Sequence, residues 1–170
     1  MNIKNHLIVK DNFFDDETFK KIKEKVSSLP FTNRYVSEKN SVYQQIYFQH
    51  ILNKNDYEVN KLCEKLNYYG IKVDNINSQY FLSTKHKDPT PHTDYKYNIN
   101  CLVYIKGKSF INSGTGFYDV INNEIQLNTH IGFKENRAII FDSDLMHCSL
   151  QFTENTLPRY VMANFINERI

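Results

Sequence analysis

Apolar side chains recur at helical spacing in two stretches of the first seventy residues. After Asp15-Asp16-Glu17-Thr18, residues Phe19, Ile22, Val26 and Leu29 are spaced by three, four and three positions. This pattern predicts an amphipathic helix with a capping residue and an acidic first turn, ended by Pro30. A second helix is predicted from Asn55 or Asp56, carrying Val59, Leu62, Cys63, Leu66 and Tyr69 on one face and stopping at Gly70. From Ile71 onward the texture changes to short runs rich in Ile, Val, Tyr, Phe and Thr, broken by turn-forming clusters. Strands are predicted at 76–83, 98–105, 116–121, 124–131, 138–142 and 159–166, with earlier ones near 34–36 and 43–49. Asn122-Asn123 is expected to form a tight hairpin, because Asn tolerates positive φ. Helices first and evenly spaced strands afterwards predict a mainly β protein with flanking helices: a barrel or double-sheet jelly roll, not a βαβ sheet.

A length of 170 residues makes one domain over 1–170 the expected organisation, with helical support mainly in 1–70 and the jelly-roll core mainly in 71–170. The 41% of hydrophobic residues supply enough apolar area for a core, which excludes wholesale disorder. Twenty-one Lys and Arg against nineteen Asp and Glu leave a net charge of +2, too balanced to indicate a nucleic acid or an anionic membrane as partner. Cys63, Cys101 and Cys148 form no CxxC pair and no disulfide-scaffold density, so reduced thiols in the cytoplasm are expected. Leu7-Ile8-Val9 is too short for the apolar region of a signal peptide, and no run approaches the roughly 18 apolar residues of a membrane span. The expectation is a soluble, non-exported protein.

The candidate chemistry begins at Thr90-Pro91-His92-Thr93-Asp94, where an imidazole and a carboxylate stand at i and i+2. If this segment is extended, both project from one face. His147 follows 53 residues after Asp94, just past the apolar strand Ala138-Ile139-Ile140-Phe141. Two histidines and one carboxylate form the facial triad typical of non-haem Fe(II), which leaves coordination positions open; zinc fits this set less well. Arg159 opens an apolar strand twelve residues beyond His147, and a buried guanidinium there suits a bidentate anion such as a bound dicarboxylate, or a structural salt bridge. Cys148 is expected on the opposite face from His147 as a buried, inert thiol, His86 in a solvated loop, and Asp142 and Asp144 in a turn.

With these residues in place, the chain resembles the 2-oxoglutarate and Fe(II)-dependent oxygenase superfamily, nearest its prolyl-4-hydroxylase-like branch. The likeness runs from about Ser78 to Ile166, and Val9-Lys10-Asp11-Asn12-Phe13-Phe14 with the first helix resembles that branch's opening segment. Tyr80 stands where these enzymes often carry a tyrosine before the HxD, and His92-Thr93-Asp94 stands for the HxD itself. Asn100-Cys101-Leu102-Val103-Tyr104-Ile105 resembles the strand after it, whose tyrosine helps hold the co-substrate. Gly114-Thr115-Gly116-Phe117-Tyr118 resembles the glycine-rich segment ending in an aromatic, and Arg137-Ala138-Ile139-Ile140-Phe141 the strand leading to the second histidine. Arg159 matches the basic residue that pairs with the 2-oxoglutarate carboxylate. Two departures are visible: the loop between Tyr80 and His92 is long, and Val161 replaces the hydroxyl residue that some branches carry two positions after the arginine.

The resemblance implies a double-stranded β-helix holding Fe(II) on His92, Asp94 and His147, with 2-oxoglutarate as co-substrate held by Arg159, Tyr104 and Tyr80. It also implies oxidative decarboxylation of 2-oxoglutarate to succinate and CO2, coupled to hydroxylation of a peptidyl residue, amino acid or small metabolite. Asn100 shares the parity of Tyr104 along its strand and is expected to support the site from behind the ligands. The substrate is expected between segments 32–43 and 85–90, where Arg34, Tyr35 and Tyr43 offer directional contacts. Two rival readings use the same residues. One is a catalytically silent cupin-like binding module, disfavoured by the intact triad and Arg159; the other is a zinc-dependent hydrolase.

Overall fold

In the computed structural model the described residues are 7–35, 46–83, 91–110, 113–151 and 158–168. In chain order they form β1 (Leu7–Lys10), α1 (Asp16–Val26), β2 (Thr32–Tyr35), β3 (Ile46–Leu52), α2 (Tyr57–Tyr68) and β4 (Val73–Ser83). Then follow β5 (Ile99–Lys106), β6 (Ser113–Ile121), β7 (Glu124–Gly132), β8 (Ala138–Asp142), β9 (His147–Gln151) and β10 (Arg159–Glu168).

Local chemistry sets the helix ends. The Asp15 carboxylate accepts the Thr18 N–H at 2.9 Å and the Thr18 hydroxyl at 2.8 Å, so one side chain caps α1 while Asp16 and Glu17 face the positive end of its dipole. Thr18, Ile22 and Val26 then repeat every four residues along the buried face. The helix ends at Val26, one turn before Pro30, although Leu29 still packs on the core. Helix α2 buries Val59, Leu62 and Leu66, and Gly70 ends it at φ 81°, which lets the Ile71 N–H reach back to the Leu66 carbonyl at 3.0 Å.

The strands make two antiparallel sheets. The larger has the order β1-β8-β5-β10-β4-β3-β2 and the smaller β7-β6-β9. Alternation along β5 shows how the larger sheet is used on both sides. Cys101, Val103 and Ile105 pack with Ile22, Val26, Val59, Leu62 and Leu66 beneath the helices. Tyr104 on the opposite side joins Phe117, Phe133, Ile139, Phe141 and Val161, with Leu102 and Ile131 against them. That second cluster draws on both sheets, so they face one another across an apolar interior, as the jelly-roll expectation requires.

The hairpin at Asn122-Asn123 forms with φ of 52° and 64°, joining β6 to β7. Two strands were not anticipated. β1 is a four-residue edge strand paired with β8, too short to show a period, and β9 begins at His147 itself, where polar residues hide the alternation. β4 starts at Val73, three residues before the expected position. The strands expected near 34–36 and 43–49 lie at Thr32–Tyr35 and Ile46–Leu52.

Gly114 shows why the segment after β5 carries glycines. Its φ is 147°, and a Cβ there would stand 2.0 Å from the Ile131 carbonyl oxygen. Gly132, its partner in register, has nothing within 4 Å of the same position. We therefore expect Gly114→Ala to cost about 2 kcal/mol or more of unfolding free energy. Gly132→Ala should stay within about 0.5 kcal/mol, as for an open position. Urea denaturation of the two variants checks this contrast, and equal midpoints would contradict it.

Candidate functional site

His92, Asp94 and His147 each place one potential ligand atom within 4.8 Å of the others. The chain brings them together through backbone pairing. His92 and His147 form an isolated antiparallel bridge, exchanging N–H···O bonds of 3.0 and 2.9 Å, so the HxD segment is held by this bridge instead of lying in a strand of its own. The imidazole rings lie 4.7 Å apart. Two residues on, the Asp94 N–H donates to the Ser143 carbonyl at 2.9 Å, and the Ser143 N–H donates to Asn98 at the head of β5. The turn between β8 and β9 thus clamps the segment from below. Asp142 serves that turn, accepting the Asp144 N–H on its side chain, in line with the expectation for both residues.

The donor set is oriented as well as assembled. His147 Nδ1 lies 2.9 Å from the Leu145 carbonyl, an acceptor only, so Nδ1 carries a proton and Nε2 is the nitrogen turned toward Asp94, where it can donate to the carboxylate or, once its own proton is displaced, hold a metal. That Nε2 is 3.4 Å from Asp94 Oδ2, close to the spacing of about 3 Å between neighbouring ligands that each lie about 2.1 Å from one ion. Asn100, almost fully buried, donates its amide N–H to Asp94 Oδ2 at 2.6 Å. Burial works to raise the Asp94 carboxyl; the hydrogen bond and charge of His147, the charge of His92 and the Asn100 amide outweigh it and hold Asp94 below its ordinary value. The carboxylate is anionic and fixed. Phe141 packs edge-on to the His147 ring at 4.7 Å, and Phe117 packs on Phe141 at 5.0 Å, so an apolar wall backs the site. His147 is buried while His92 is exposed, and the site opens to solvent on the His92 side.

Farther inside, Tyr104 stacks on Phe133 at 4.7 Å, and its hydroxyl lies 2.7 Å from Thr115 Oγ1. Burial pushes the phenol up to about 12 against the opposing charge of Arg159 and the Thr115 hydrogen bond. Arg159 is 4% exposed, and its Nη1 donates to the carbonyls of Gly114 at 3.1 Å and Leu150 at 2.9 Å. Those bonds place the guanidinium against β6 and β9, across the barrel interior from its own strand.

Tyr80 is the exception among the interior candidates. It pairs with Met162 and His50, and its side chain joins the cluster beneath the helices, with its hydroxyl 3.5 Å from the buried Glu58 carboxylate. It cannot reach a co-substrate beside Arg159, because residues opposite each other in an antiparallel pair share a face, and on β4 it is Ser83 and Phe81 that pair with Arg159 and Val161. Arg34 and Tyr35 lie on β2 at the sheet edge, Arg34 in one register row with Tyr47, Ser83 and Arg159. Tyr43 and the 85–90 segment lie outside the described residues, as does His86. Cys148 pairs with Gly116 on the face opposite His147 and is buried, with the Tyr118 hydroxyl 3.2 Å from its sulfur. The sequence reading missed Thr115, whose position beside a glycine gave no signal, and the Leu145 carbonyl, which no sequence pattern reveals.

No known family's sequence profile matches the chain, and no curated protein matches it. Solved structures do. A prolyl-4-hydroxylase from Pseudomonas putida superposes with a TM-score of 0.59 at 9% identity, covering 98% of this chain and 94% of that one. A prolyl hydroxylase from Trichoplax adhaerens, in complex with a hypoxia-inducible-factor oxygen degradation domain peptide, gives 0.66 at 12% identity, covering 96% and 84%. HygX from Streptomyces hygroscopicus, with nickel and 2-oxoglutarate bound, gives 0.63 at 11% identity, covering 98% and 86%. The chain has the double-stranded β-helix fold of these enzymes. At such low identity the likeness establishes the fold, and the chemistry has to be argued from this chain's own residues.

The raised Tyr104 phenol gives a test of the interior as described. A tyrosine that ionises near 10 in the unfolded chain and about 12 in the folded one contributes stability that is full below pH 10 and lost as pH rises toward 12. Tyr104→Phe should therefore show a shallower fall of the urea midpoint across that window than the wild type. An unchanged slope would mean that the phenol is accessible to solvent.

Proposed function

We propose that the protein is an Fe(II)- and 2-oxoglutarate-dependent dioxygenase that hydroxylates a peptidyl residue, an amino acid or another small metabolite, with release of succinate and CO2. The observation that carries this reading is the convergence of His92, Asp94 and His147, within 4.8 Å, at the open end of a double-stranded β-helix. Two imidazoles and one anionic carboxylate suit a divalent iron and leave room for further ligands. When bound, iron together with 2-oxoglutarate supplies the oxidising power drawn from dioxygen.

The chain's own residues do the rest. The His147 Nδ1–H bond to Leu145 presents Nε2 as a ligand, and Asn100 holds Asp94 through one oxygen, limiting its rotation at the metal. Arg159 and Tyr104 lie deeper and are assigned to the distal carboxylate of 2-oxoglutarate, for which a guanidinium fork and a phenol are matched donors. Phe117 and Phe141 keep bulk water from the back of the site. Substrate enters on the exposed His92 side. Arg34 and Tyr35 on β2 are assigned to contact it, since Arg34 shares a register row with Arg159 three strands away, about 14 Å at the usual strand spacing. Tyr43 keeps the same assignment as an expectation from sequence.

A soluble, cytoplasmic location is part of this proposal: Cys63, Cys101 and Cys148 are free thiols, and among the described residues no helix is long and apolar enough to cross a membrane. The chain is proposed to act as one domain.

Metal analysis combined with a succinate-release assay is the test. The chain loaded anaerobically with Fe(II) should convert 2-oxoglutarate to succinate when oxygen is admitted, and His92→Ala or His147→Ala should lose metal binding and succinate release together. Arg159→Ala should keep the metal yet weaken 2-oxoglutarate binding by about 2 to 5 kcal/mol, the cost of removing one partner of a buried charge pair. Tight zinc binding with hydrolysis and no succinate would establish the hydrolase instead, and metal-free protein inert toward 2-oxoglutarate would establish a binding module.

A further inference from the structure

The β6–β7 hairpin runs past the His147 end of the barrel. β9 begins at His147, opposite Phe117, and beyond that pair the Tyr118 N–H still donates to the Met146 carbonyl at 2.9 Å. From there β6 continues to Ile121 paired with β7 alone. The hairpin loop fixes which way this backbone points. A two-residue loop with positive φ at Asn122 and Asn123 closes on Ile121 and Glu124 as a hydrogen-bonded pair. Bonded and non-bonded pairs alternate, so Asp119 bonds to Gln126, while Val120 and Ile125 face each other without backbone bonds. The N–H and C=O of Val120 therefore point away from β7, on the same side as the Tyr118 N–H that meets Met146. Among the described residues no backbone group meets them there. The result is a short free strand edge beside the candidate site.

The outer face of the same hairpin is apolar. Val120, Ile125 and Leu127 are 58%, 54% and 52% exposed. Tyr118 and Leu127 lie over Gly116, where a Cβ would stand 3.0 Å from the Tyr118 hydroxyl and 2.9 Å from Leu127 Cδ1, and alternation puts Val120 and Ile125 on that face with them. Exposed aliphatic side chains gathered beside an unpaired backbone edge form a contact surface, since each feature by itself already favours association. An extended polypeptide is the partner that matches both. Its N–H and C=O pair with those of Val120, and its side chain directly opposite falls on the Val120 face. A small metabolite held among His92, Asp94 and His147 uses neither feature. The outer edge of β7 is a poorer template, because the extra residue Asn128 breaks its register.

We propose that β6 docks an extended peptide segment of the substrate along Val120, with an apolar side chain of that segment laid against Val120, Ile125 and Leu127, so that the substrate is a polypeptide and not a free amino acid or small metabolite. Calling this partner the substrate rests on the dioxygenase reading above; the docking edge does not. Val120 lies three residues from the Phe117–His147 pair, about 10 Å along the strand, a distance that three residues of extended peptide span on the way to the triad.

The test is selection from a library of random peptides on the immobilised full chain loaded with Mn(II) and 2-oxoglutarate, followed by fluorescence anisotropy with an enriched peptide. Enriched peptides should share an apolar residue at one fixed position, and hydrogen exchange of the Val120 amide should slow when they bind. Val120→Pro removes that N–H without removing a β6–β7 hydrogen bond, and should bind the peptide about 5-fold or more weakly, the value of one backbone hydrogen bond, while taking up Mn(II) as the wild type does. Ile125→Asp keeps the backbone intact and should weaken the same peptide by placing a charge on the apolar face. The absence of any enriched peptide, or undiminished peptide affinity in either variant, would overturn the proposal. So would a wild-type dimer that Ile125→Asp splits, which would give the face to a second copy of the chain. Peptide binding at Val120 by a chain that converts no 2-oxoglutarate to succinate would uphold the docking edge and bring down the dioxygenase reading.

Discussion

The backbone pairing of His92 with His147 is the joint on which the site depends. Two hydrogen bonds of 3.0 and 2.9 Å fasten a segment with no strand of its own to the first residue of β9. In such a pair the opposing side chains leave the same face, which is why the two rings come within 4.7 Å. Asp94 is then carried to that face by alternation and fixed by its own N–H bond to Ser143. Shifting this register by one residue would turn His147 outward and Cys148 inward, exchanging an imidazole for a thiol whose neighbours are Gly116 and the Tyr118 hydroxyl.

Around this joint the protein places polar groups inside an apolar shell and gives several of them partners that also aim them. The Asn100 amide takes one Asp94 oxygen, the Leu145 carbonyl takes the His147 proton, and the carbonyls of Gly114 and Leu150 take the Arg159 guanidinium. Each bond offsets a desolvation cost that would be several kcal/mol if the group were buried unpaired. The same bonds remove rotational freedom before any ligand arrives, so binding needs little reorganisation. Stability and function draw on one set of contacts here. The glycine at 114 belongs to that set, because its carbonyl reaches Arg159 only with a backbone conformation that a side chain would block.

Much of this was legible in the sequence because it rests on rare residue types at short, regular spacing. Histidine and aspartate at i and i+2, a second histidine beyond an apolar strand, and an arginine opening the next one can be read without a structure, and so can the shift from helical to strand texture at Ile71. Tyr80 illustrates what cannot. Gln79, Tyr80 and Phe81 lie on a strand covered on both sides, with the helices on one and the barrel on the other, so burial there shows no clear alternation and a tyrosine on either parity looks equally suitable. Thr115 was invisible for another reason: its place comes from the pairing of β6 with β9 across the intervening β7 and β8, and its residue type is not unusual. β1 and β9 are too short to display a period at all.

Anomalous diffraction from crystals grown anaerobically with Mn(II) and 2-oxoglutarate tests the central claim most directly. The account predicts one strong metal peak within coordination distance of His92, Asp94 and His147, with the 2-oxo acid end of the co-substrate on the metal and its far carboxylate against Arg159. A peak that excludes any one of those three side chains, or a fourth protein ligand closing the coordination sphere, would contradict it.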